Sequence, residues 1–152
     1  MRNMSFALTT PQVRARTKDV TRRLGWDDLK PGDRVCAVVK GQGIPKGGHV
    51  ERICVIECVS NRKDMLCSIT PAEVLREGFN AMSPADFVAM FCKHNKCGPR
   101  DFVNRIEFRY LLSVCPQCGD SLYEANIGNG KTDVYCEECG WPDEDFGREV
   151  QP

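Results

Sequence analysis

Residues 102–112 read FVNRIEFRYLL and decide the class of fold. From Arg105 onward the segment alternates between charged and apolar residues. The apolar residues are Ile106, Phe108, Tyr110 and Leu112, and the charged residues are Arg105, Glu107 and Arg109. Successive side chains of a strand point to opposite faces of a sheet, so this period of two predicts a half-buried strand. The protein therefore contains a sheet with one apolar face and one charged face.

Further strands and capped helices precede this segment. Branched and apolar residues predict strands over residues 5–8, 34–40, 49–60 and 65–69. The segments TPAE (70–73) and SPAD (83–86) each place a hydroxyl N-cap before a proline, which predicts a helix after each. Thr10-Pro11 has the same pattern and predicts a helix that carries residues 13–23 and ends before Gly25. Short helices among several strands favour an α+β domain built on a small barrel or bent sheet.

Composition restricts the class of protein. The chain has 152 residues, of which 41% are hydrophobic and 28% are charged, as in folded globular proteins. No apolar run approaches the roughly 18–20 residues of a membrane span, and the first ten residues lack the apolar stretch of a signal peptide. We therefore expect a cytoplasmic protein that does not contact membranes. In that reducing compartment the 10 cysteines bind metal or pack as small apolar residues, because disulfides are rare there.

The net charge of zero hides two opposite charges. Residues 1–112 contain 19 Lys+Arg and 12 Asp+Glu, a net charge of +7. Residues 113–152 contain 2 Lys+Arg and 9 Asp+Glu, a net charge of −7. This asymmetry indicates two units and makes the first one the candidate for contact with phosphate groups.

The second unit carries a metal-binding pattern. The pairs Cys115/Cys118 and Cys136/Cys139 are two CxxC motifs separated by 17 residues, which is the spacing of a four-thiolate zinc site. Four cysteine ligands leave no open position for water, so the zinc would be structural, one ion per chain. Residues 113–152 resemble a zinc ribbon with residues 126–133 at its hairpin tip. So short a segment cannot bury enough apolar surface to fold without the metal.

Six further cysteines and two histidines have no such pattern. Cys36, Cys54, Cys58 and Cys67 lie in predicted strands, and we interpret them as packing residues. Cys92 and Cys97 would make half of a second metal site, but no further pair completes it. We assign no chemistry to His49 and His94.

The segment KDVTRR (18–23) is the other candidate site. In a helix, Lys18, Thr21 and Arg22 would share one face. A lysine beside a hydroxyl can hold a phosphate or carbonyl oxygen, or act as a base once burial lowers its pKa. The alternative interpretation of such a run is a solvated charged surface.

Over about residues 5–112 the chain resembles the ASCH-domain family, a branch of the PUA-like superfamily of small β-barrels. Lys18, Thr21 and Arg23 match the family's GxKxxTxR motif, although Arg16 stands in place of its glycine. The segments KPGD (30–33), EGF (77–79) and RIEF (105–108) follow in the family's order. The resemblance implies a PUA-like barrel over residues 1–112 with two or three short helices, followed by the zinc ribbon over residues 113–152.

The resemblance also implies two functions. ASCH domains are regarded as modules that bind RNA or a modified nucleobase in a cleft of the barrel. Some members are hydrolases that remove the acetyl group from acetylated cytidine, and another has been described as a ribonuclease. By this resemblance Thr21 attacks the amide carbonyl, Lys18 tunes or deprotonates it, and Glu77 protonates the leaving amine. Glu73 is the fallback for Glu77.

Our first hypothesis is RNA or nucleobase binding in a basic cleft, and the second is hydrolysis by the same residues. The predicted ligand contacts are Lys18, Thr21, Arg22, Arg23, Trp26, Arg105 and Arg109. Some of the candidate residues have simpler interpretations. Arg23 would pair with Asp27 or Asp28 on the surface. Trp26, and Tyr110 as a second aromatic residue that could stack on a base, would belong to the core, and the proposed acid Glu77 would be an exposed helix end. A third hypothesis is an adaptor whose acidic ribbon binds a basic protein partner.

Overall fold

The computed structural model describes residues 1–142, without the side chain of Lys131. It has the predicted α+β class, with a strongly curled sheet in the form of a half-barrel and three short helices. The strands are β1 (Arg2–Ser5), β2 (Val20–Arg23), β3 (Arg34–Val38), β4 (Arg52–Met65) and β5 (Phe102–Leu111). Their order in the sheet is β1-β3-β4-β5-β2, and only the β1–β3 pair is parallel.

Strand β5 is present where the alternation predicted it, although Leu112 lies beyond its end and is exposed, and Arg105 on the charged face is buried. Ile106 and Phe108 are buried on its apolar face, where they pack with residues of β1, β3 and β4. Its long partner β4 merges one predicted strand with part of the next, and residues 66–68 form a 3₁₀ helix instead of a strand. A bulge in β4 between Cys58 and Ser60 adds to the curl of the sheet.

The three helices are α1 (Thr10–Arg14), α2 (Pro71–Arg76) and α3 (Pro84–Asn95). Two of the three predicted caps are present, because the hydroxyls of Thr70 and Ser83 accept the backbone N–H of the third residue after each. The predicted cap at Thr10 is absent, because Thr10 is already the first residue of α1 and its hydroxyl donates to the Phe6 carbonyl oxygen. Helices α2 and α3 cover one end of the sheet over a second apolar cluster that includes Leu66, Phe87 and Phe91. This end of the molecule holds the candidate site.

The prediction of a helix through residue 23 is wrong. Helix α1 ends at Arg14, and Arg16 has a left-handed φ of 60° that breaks the helical path. Residues 20–23 instead form β2, which pairs antiparallel with β5. The β-branched Val20 and Thr21 suit a strand, and the backbone groups of β2 find their partners on β5. The KDVTRR segment therefore extends along the edge of the sheet.

A separate two-stranded sheet follows β5. It consists of β6 (Tyr123–Gly128) and β7 (Lys131–Tyr135), joined by a turn within the predicted hairpin tip. The Cys36 thiol lies 3.5 Å from the Pro116 carbonyl oxygen, so this unit contacts the curled sheet. The acidic residues from 143 onward lie outside the described residues. Within residues 1–142 no helix has both the length and the apolar character to cross a membrane.

Three of the remaining cysteines pack as predicted. Cys36, Cys54 and Cys58 lie in β3 and β4. Burial raises the pKa of Cys36 to about 11 and that of Cys54 to about 12, so both stay protonated at neutral pH. Cys67 differs from the prediction, because it is exposed on the 3₁₀ helix.

Candidate functional site

Lys18 is the centre of the site. It lies just before β2 and its side chain is only 2% exposed. Its Nζ donates to the Glu77 carboxylate at 2.8 Å and to the Glu77 carbonyl oxygen at 2.6 Å. The Tyr110 hydroxyl donates to the Lys18 carbonyl oxygen at 2.6 Å and fixes the backbone from the β5 side. Burial lowers the pKa of Lys18, and the neighbouring Glu77 carboxylate opposes part of that shift.

Glu77 is placed by the end of helix α2. Gly78 follows it with a left-handed φ of 96°, and a Cβ at Gly78 would lie 3.1 Å from Gln12 Cγ. The Gln12 side-chain amide donates to the Gly78 carbonyl oxygen at 2.9 Å, so α1 holds the end of α2. Glu77 is 3% exposed. The interpretation of Glu77 as an exposed helix end therefore does not describe this structure.

Arg22 joins the same network from β2. Its Nη1 donates to Glu77 Oε1 at 3.1 Å, and its Nη2 donates to Glu73 at 3.0 Å and Asp64 at 3.4 Å. Its Nε is buried without a hydrogen-bond partner in the described part of the chain. Arg22 therefore contributes a buried positive charge that three carboxylates balance.

Glu73, the fallback for Glu77, has a different environment. The Arg105 guanidinium grips its carboxylate at 2.8 and 2.9 Å. This pairing, strengthened by Arg22 and opposed by partial burial, lowers the pKa of Glu73 to about 2. A carboxylate with so low a pKa is a poor proton donor near neutral pH. Glu73 is therefore a poor candidate for the acid of a reaction here.

Thr21 and Arg23 form a second polar pair. Arg23 Nε donates to Thr21 Oγ1 at 3.1 Å, and Arg23 Nη2 donates to the Ser5 carbonyl oxygen. The guanidinium carbon also lies 4.9 Å from the centre of the Phe6 ring. Desolvation lowers the pKa of Arg23 to about 10, which leaves it positively charged at neutral pH. Thr21 is 3% exposed, and in the described structure its hydroxyl is hydrogen-bonded by Arg23, not by Lys18.

These side chains line one cavity of about 210 Å³. Lys18, Thr21, Arg22, Arg23 and Glu77 supply its polar wall. The apolar wall comes from α3, the segment before α1 and the residue after Gly78, and it includes Phe6, Phe79, Phe87, Met90 and Phe91. His94 and Asn95 lie at the exposed end of α3 beside the opening. Four of the seven predicted ligand contacts therefore lie at one cavity, together with Glu77.

The other three predicted contacts lie elsewhere. Arg105 is 4% exposed and is held by Glu73 and Glu107. Arg109 is exposed and paired with Glu57. The Arg2 guanidinium covers the Trp26 ring at 3.8 Å, and Trp26 packs against the core of the sheet. None of these three lines the cavity.

Sequence reasoning missed the apolar wall of the cavity. Phe87 and Phe91 are four residues apart on α3 and also belong to the second apolar cluster. Phe79 was noted only as part of a motif. The sequence signal for this wall was the set of aromatic residues on α3, together with Phe79, which follows Gly78. Their shared position at Lys18 depends on how α2 and α3 dock, which no local pattern contains.

The second candidate site is the cluster of four cysteines. The Sγ atoms of Cys115, Cys118, Cys136 and Cys139 all lie within 4.8 Å of one another. The Cys115–Cys139 and Cys118–Cys136 sulfur pairs are 3.6 and 3.5 Å apart. Zn–S bonds of about 2.3 Å in a tetrahedron would place sulfurs about 3.8 Å apart, so the cluster fits one such ion. Among residues 1–142 no second cluster includes Cys92 or Cys97.

We compared the chain with protein-family models, with curated proteins and with solved structures, and none of them matches it. The candidate sites are therefore interpreted from their own geometry.

Proposed function

We propose that the cavity beside Lys18 binds a modified nucleobase, and that residues 1–112 are an ASCH-like member of the PUA-like superfamily. The observation that carries this proposal is the shared cavity of Lys18, Thr21, Arg23 and Glu77, which are the motif positions that the resemblance selected. Had these side chains lain apart on the surface, the proposal would have had no structural support.

The size and lining of the cavity support a single base as the ligand. Its volume of about 210 Å³ lies below the roughly 300–1,000 Å³ of pockets for drug-sized ligands. One wall is aromatic and the other offers hydrogen-bond donors and a carboxylate. A flat heterocycle with polar edges matches both walls, because bases stack on aromatic rings and are recognised by hydrogen bonds to their edges. In RNA, the base would have to leave its stack to enter.

Calorimetric titration with acetylated cytidine tests the binding proposal. We expect one ligand per chain and weaker binding in Lys18→Met, because the ligand loses a polar partner while Glu77 keeps its contact with Arg22. Arg109→Gln is the matched control, because Arg109 is exposed and lies outside the cavity. Absence of binding, or equal weakening in the two variants, would contradict the proposal.

A second candidate function is hydrolysis of an amide on that nucleobase. The observation that favours it is the burial of the Lys18–Glu77 pair beside the Thr21 hydroxyl. A binding surface does not need a carboxylate this deeply buried, whereas a hydrolase needs a nucleophile, a proton donor and a positive charge at one place.

The chemistry of this candidate is an attack of Thr21 Oγ1 on the carbonyl carbon of the amide. The N–H of Arg23 on Thr21 Oγ1 favours the alkoxide form of the hydroxyl. Glu77 would accept the Thr21 hydroxyl proton during the attack and give it to the leaving amine as the amide C–N bond breaks. Water would then attack the acyl carbon, break its ester bond to Thr21 and return a proton to Thr21 Oγ1. Lys18 donates a hydrogen bond to the Glu77 carboxylate and would influence when that carboxylate takes up and releases the proton. A direct role of Lys18 as base on Thr21 would require Lys18 to leave Glu77.

Chromatography of acetylated cytidine after incubation with the protein tests hydrolysis. We expect release of cytidine and a loss of roughly 10²–10⁴-fold in rate in Thr21→Ala and Glu77→Gln. Glu77→Gln keeps the shape of the side chain but leaves a single acceptor oxygen, so only one of Lys18 and Arg22 retains its side-chain acceptor there. Binding without turnover would leave the first proposal standing and remove this one. Unchanged activity in Thr21→Ala would exclude the nucleophile.

We further propose that the cysteine cluster holds one structural zinc ion as a zinc ribbon. Cys115, Cys118, Cys136 and Cys139 would be its ligands, and the β6–β7 hairpin would carry the second pair. Four thiolates exclude a water ligand, so the ion would stabilise the fold and would not take part in the chemistry at Lys18.

A further inference from the structure

Arg23 differs from the other positive charges at the cavity. Lys18 has the Glu77 carboxylate at 2.8 Å, and Arg22 has carboxylates of Glu73 and Glu77 within 3.1 Å. No carboxylate of residues 1–142 lies within 4.0 Å of the Arg23 guanidinium. Its two partners, Thr21 Oγ1 and the Ser5 carbonyl oxygen, are neutral.

The pairing of Arg23 with Asp27 or Asp28 is not present. Asp28 is paired with Arg2 at 2.7 Å, and Asp27 is paired with Lys63 and with the Asn104 amide. Both aspartates therefore have other partners. The desolvated guanidinium of Arg23 therefore has no carboxylate of the described residues in contact with it, and the Glu77 charge acts on it only from a greater distance.

Arg23 also has hydrogen-bond donors to spare. A guanidinium carries five N–H groups, and the bonds to Thr21 and Ser5 use two. Its Nη1 has no hydrogen-bond partner in the described structure. Unlike Arg22 Nε, this atom is not fully buried. Arg23 lines the cavity, so we take Nη1 as the donor that a ligand there would reach.

We infer that Arg23 forms an oxyanion subsite of this cavity, which takes a carboxylate or a phosphate group. A guanidinium with free N–H groups binds both through charge-assisted hydrogen bonds. Phe6 below the guanidinium and the Ser5 carbonyl fix its plane, so the charge is held in place before the ligand arrives. The inference deepens the proposed function, because it adds an anionic group to the ligand or to the product. An acid released by amide hydrolysis and the phosphate of a nucleotide are the two sources.

Titration of the full chain with acetate and with inorganic phosphate tests the subsite without any nucleoside. We expect one of these ions to bind at one site per chain, and its affinity to fall at least about tenfold in Arg23→Gln. Arg109→Gln should bind the ion as the wild type does. Absence of binding by both ions, or an unchanged affinity in Arg23→Gln, would overturn the inference.

A second arm distinguishes the source of the anion. Cytidine 5′-monophosphate binding more tightly than cytidine, with the difference lost in Arg23→Gln, would show a phosphate. If acetate competes with acetylated cytidine in the wild type and not in Arg23→Gln, the anion of the subsite is the acid that hydrolysis releases. Acetylated cytidine binding without any ion effect would leave the proposed function standing and overturn this subsite. Should Arg23→Gln not fold, the side-chain nitrogen signals of Arg23 in the wild type must shift on addition of the ion, and constant signals would overturn it.

Discussion

Arg16 shows how one residue sets the path of the chain into the site. Its left-handed φ of 60° ends the helical course after α1 and directs the backbone toward Lys18 and β2. The ASCH-like motif has glycine at this position, which is the residue that adopts such a conformation without a steric cost. Arg16 therefore holds a backbone conformation that costs an arginine more than a glycine.

This strain makes a prediction about stability. Arg16→Gly should raise the free energy of unfolding by about 1 kcal/mol, because it removes a strain of about 1–2 kcal/mol. The greater flexibility of glycine in the unfolded chain offsets part of that gain. Arg16→Ala is the matched control, since it removes the guanidinium and keeps the Cβ. Urea denaturation monitored by circular dichroism measures both. Equal effects of the two substitutions would show that the backbone at residue 16 is unstrained.

Among the helices and strands, the network of ion pairs fastens α2 to the edge of the sheet. Glu73 and Glu77 extend from α2, while Arg22 and Arg105 reach them from β2 and β5. Arg76 adds contacts to Asp19 and Glu107. The site is consequently built where α2 docks, and loss of that docking would separate Glu77 from Lys18.

The low pKa of Glu73 predicts how this docking depends on pH. Arg105 and Arg22 hold the pKa at about 2 in the folded state, against 4.5 for an unperturbed glutamate. Because the folded-state value is the lower one, the stabilisation is present above pH 4.5 and is lost as the pH falls toward 2. The free energy of unfolding should therefore drop through that window, and less steeply in Glu73→Gln. Denaturation curves at several pH values measure it, and equal slopes for both proteins would contradict the pairing.

Local patterns account for much of the fold and for less of the site. The caps at Thr70 and Ser83 and the alternation in β5 depend on neighbouring residues, and all three were predictable. Strand β2 was not, because a charged segment of four residues has no clear period and its strand form depends on pairing with distant β5. The burial of Glu77 has the same origin, since Lys18 and Arg22 lie more than fifty residues away.

At the scale of the molecule, the separation of charge follows the division between the curled sheet and the cysteine unit. At the cavity, Lys18 and Arg22 are paired with carboxylates, so the +7 charge of residues 1–112 does not form one basic cleft there. The exception at the cavity is Arg23. This arrangement favours a small ligand over a long nucleic acid backbone, which would need several free cations in a row.

Removal of the metal should affect the cysteine unit and leave the curled sheet intact. A chelator, or Cys115→Ser, should remove about one zinc ion per chain and unfold the β6–β7 hairpin, because metal binding supplies the folding energy of so small a unit. The curled sheet has its own core and should remain folded. Elemental analysis and amide hydrogen exchange measure the two effects. A zinc-free wild type with a protected hairpin would contradict the structural role of the metal.

The most direct test of the nucleobase pocket is a map of amide chemical shifts in the full chain on addition of acetylated cytidine. We predict saturable shifts confined to residues 5–9, 18–23, 77–79 and 87–95, with those of 123–135 unchanged, because the first four segments line the cavity and the hairpin does not. Shifts confined to the hairpin, or no shifts at all, would contradict the central claim that the Lys18–Glu77 cavity is the ligand site.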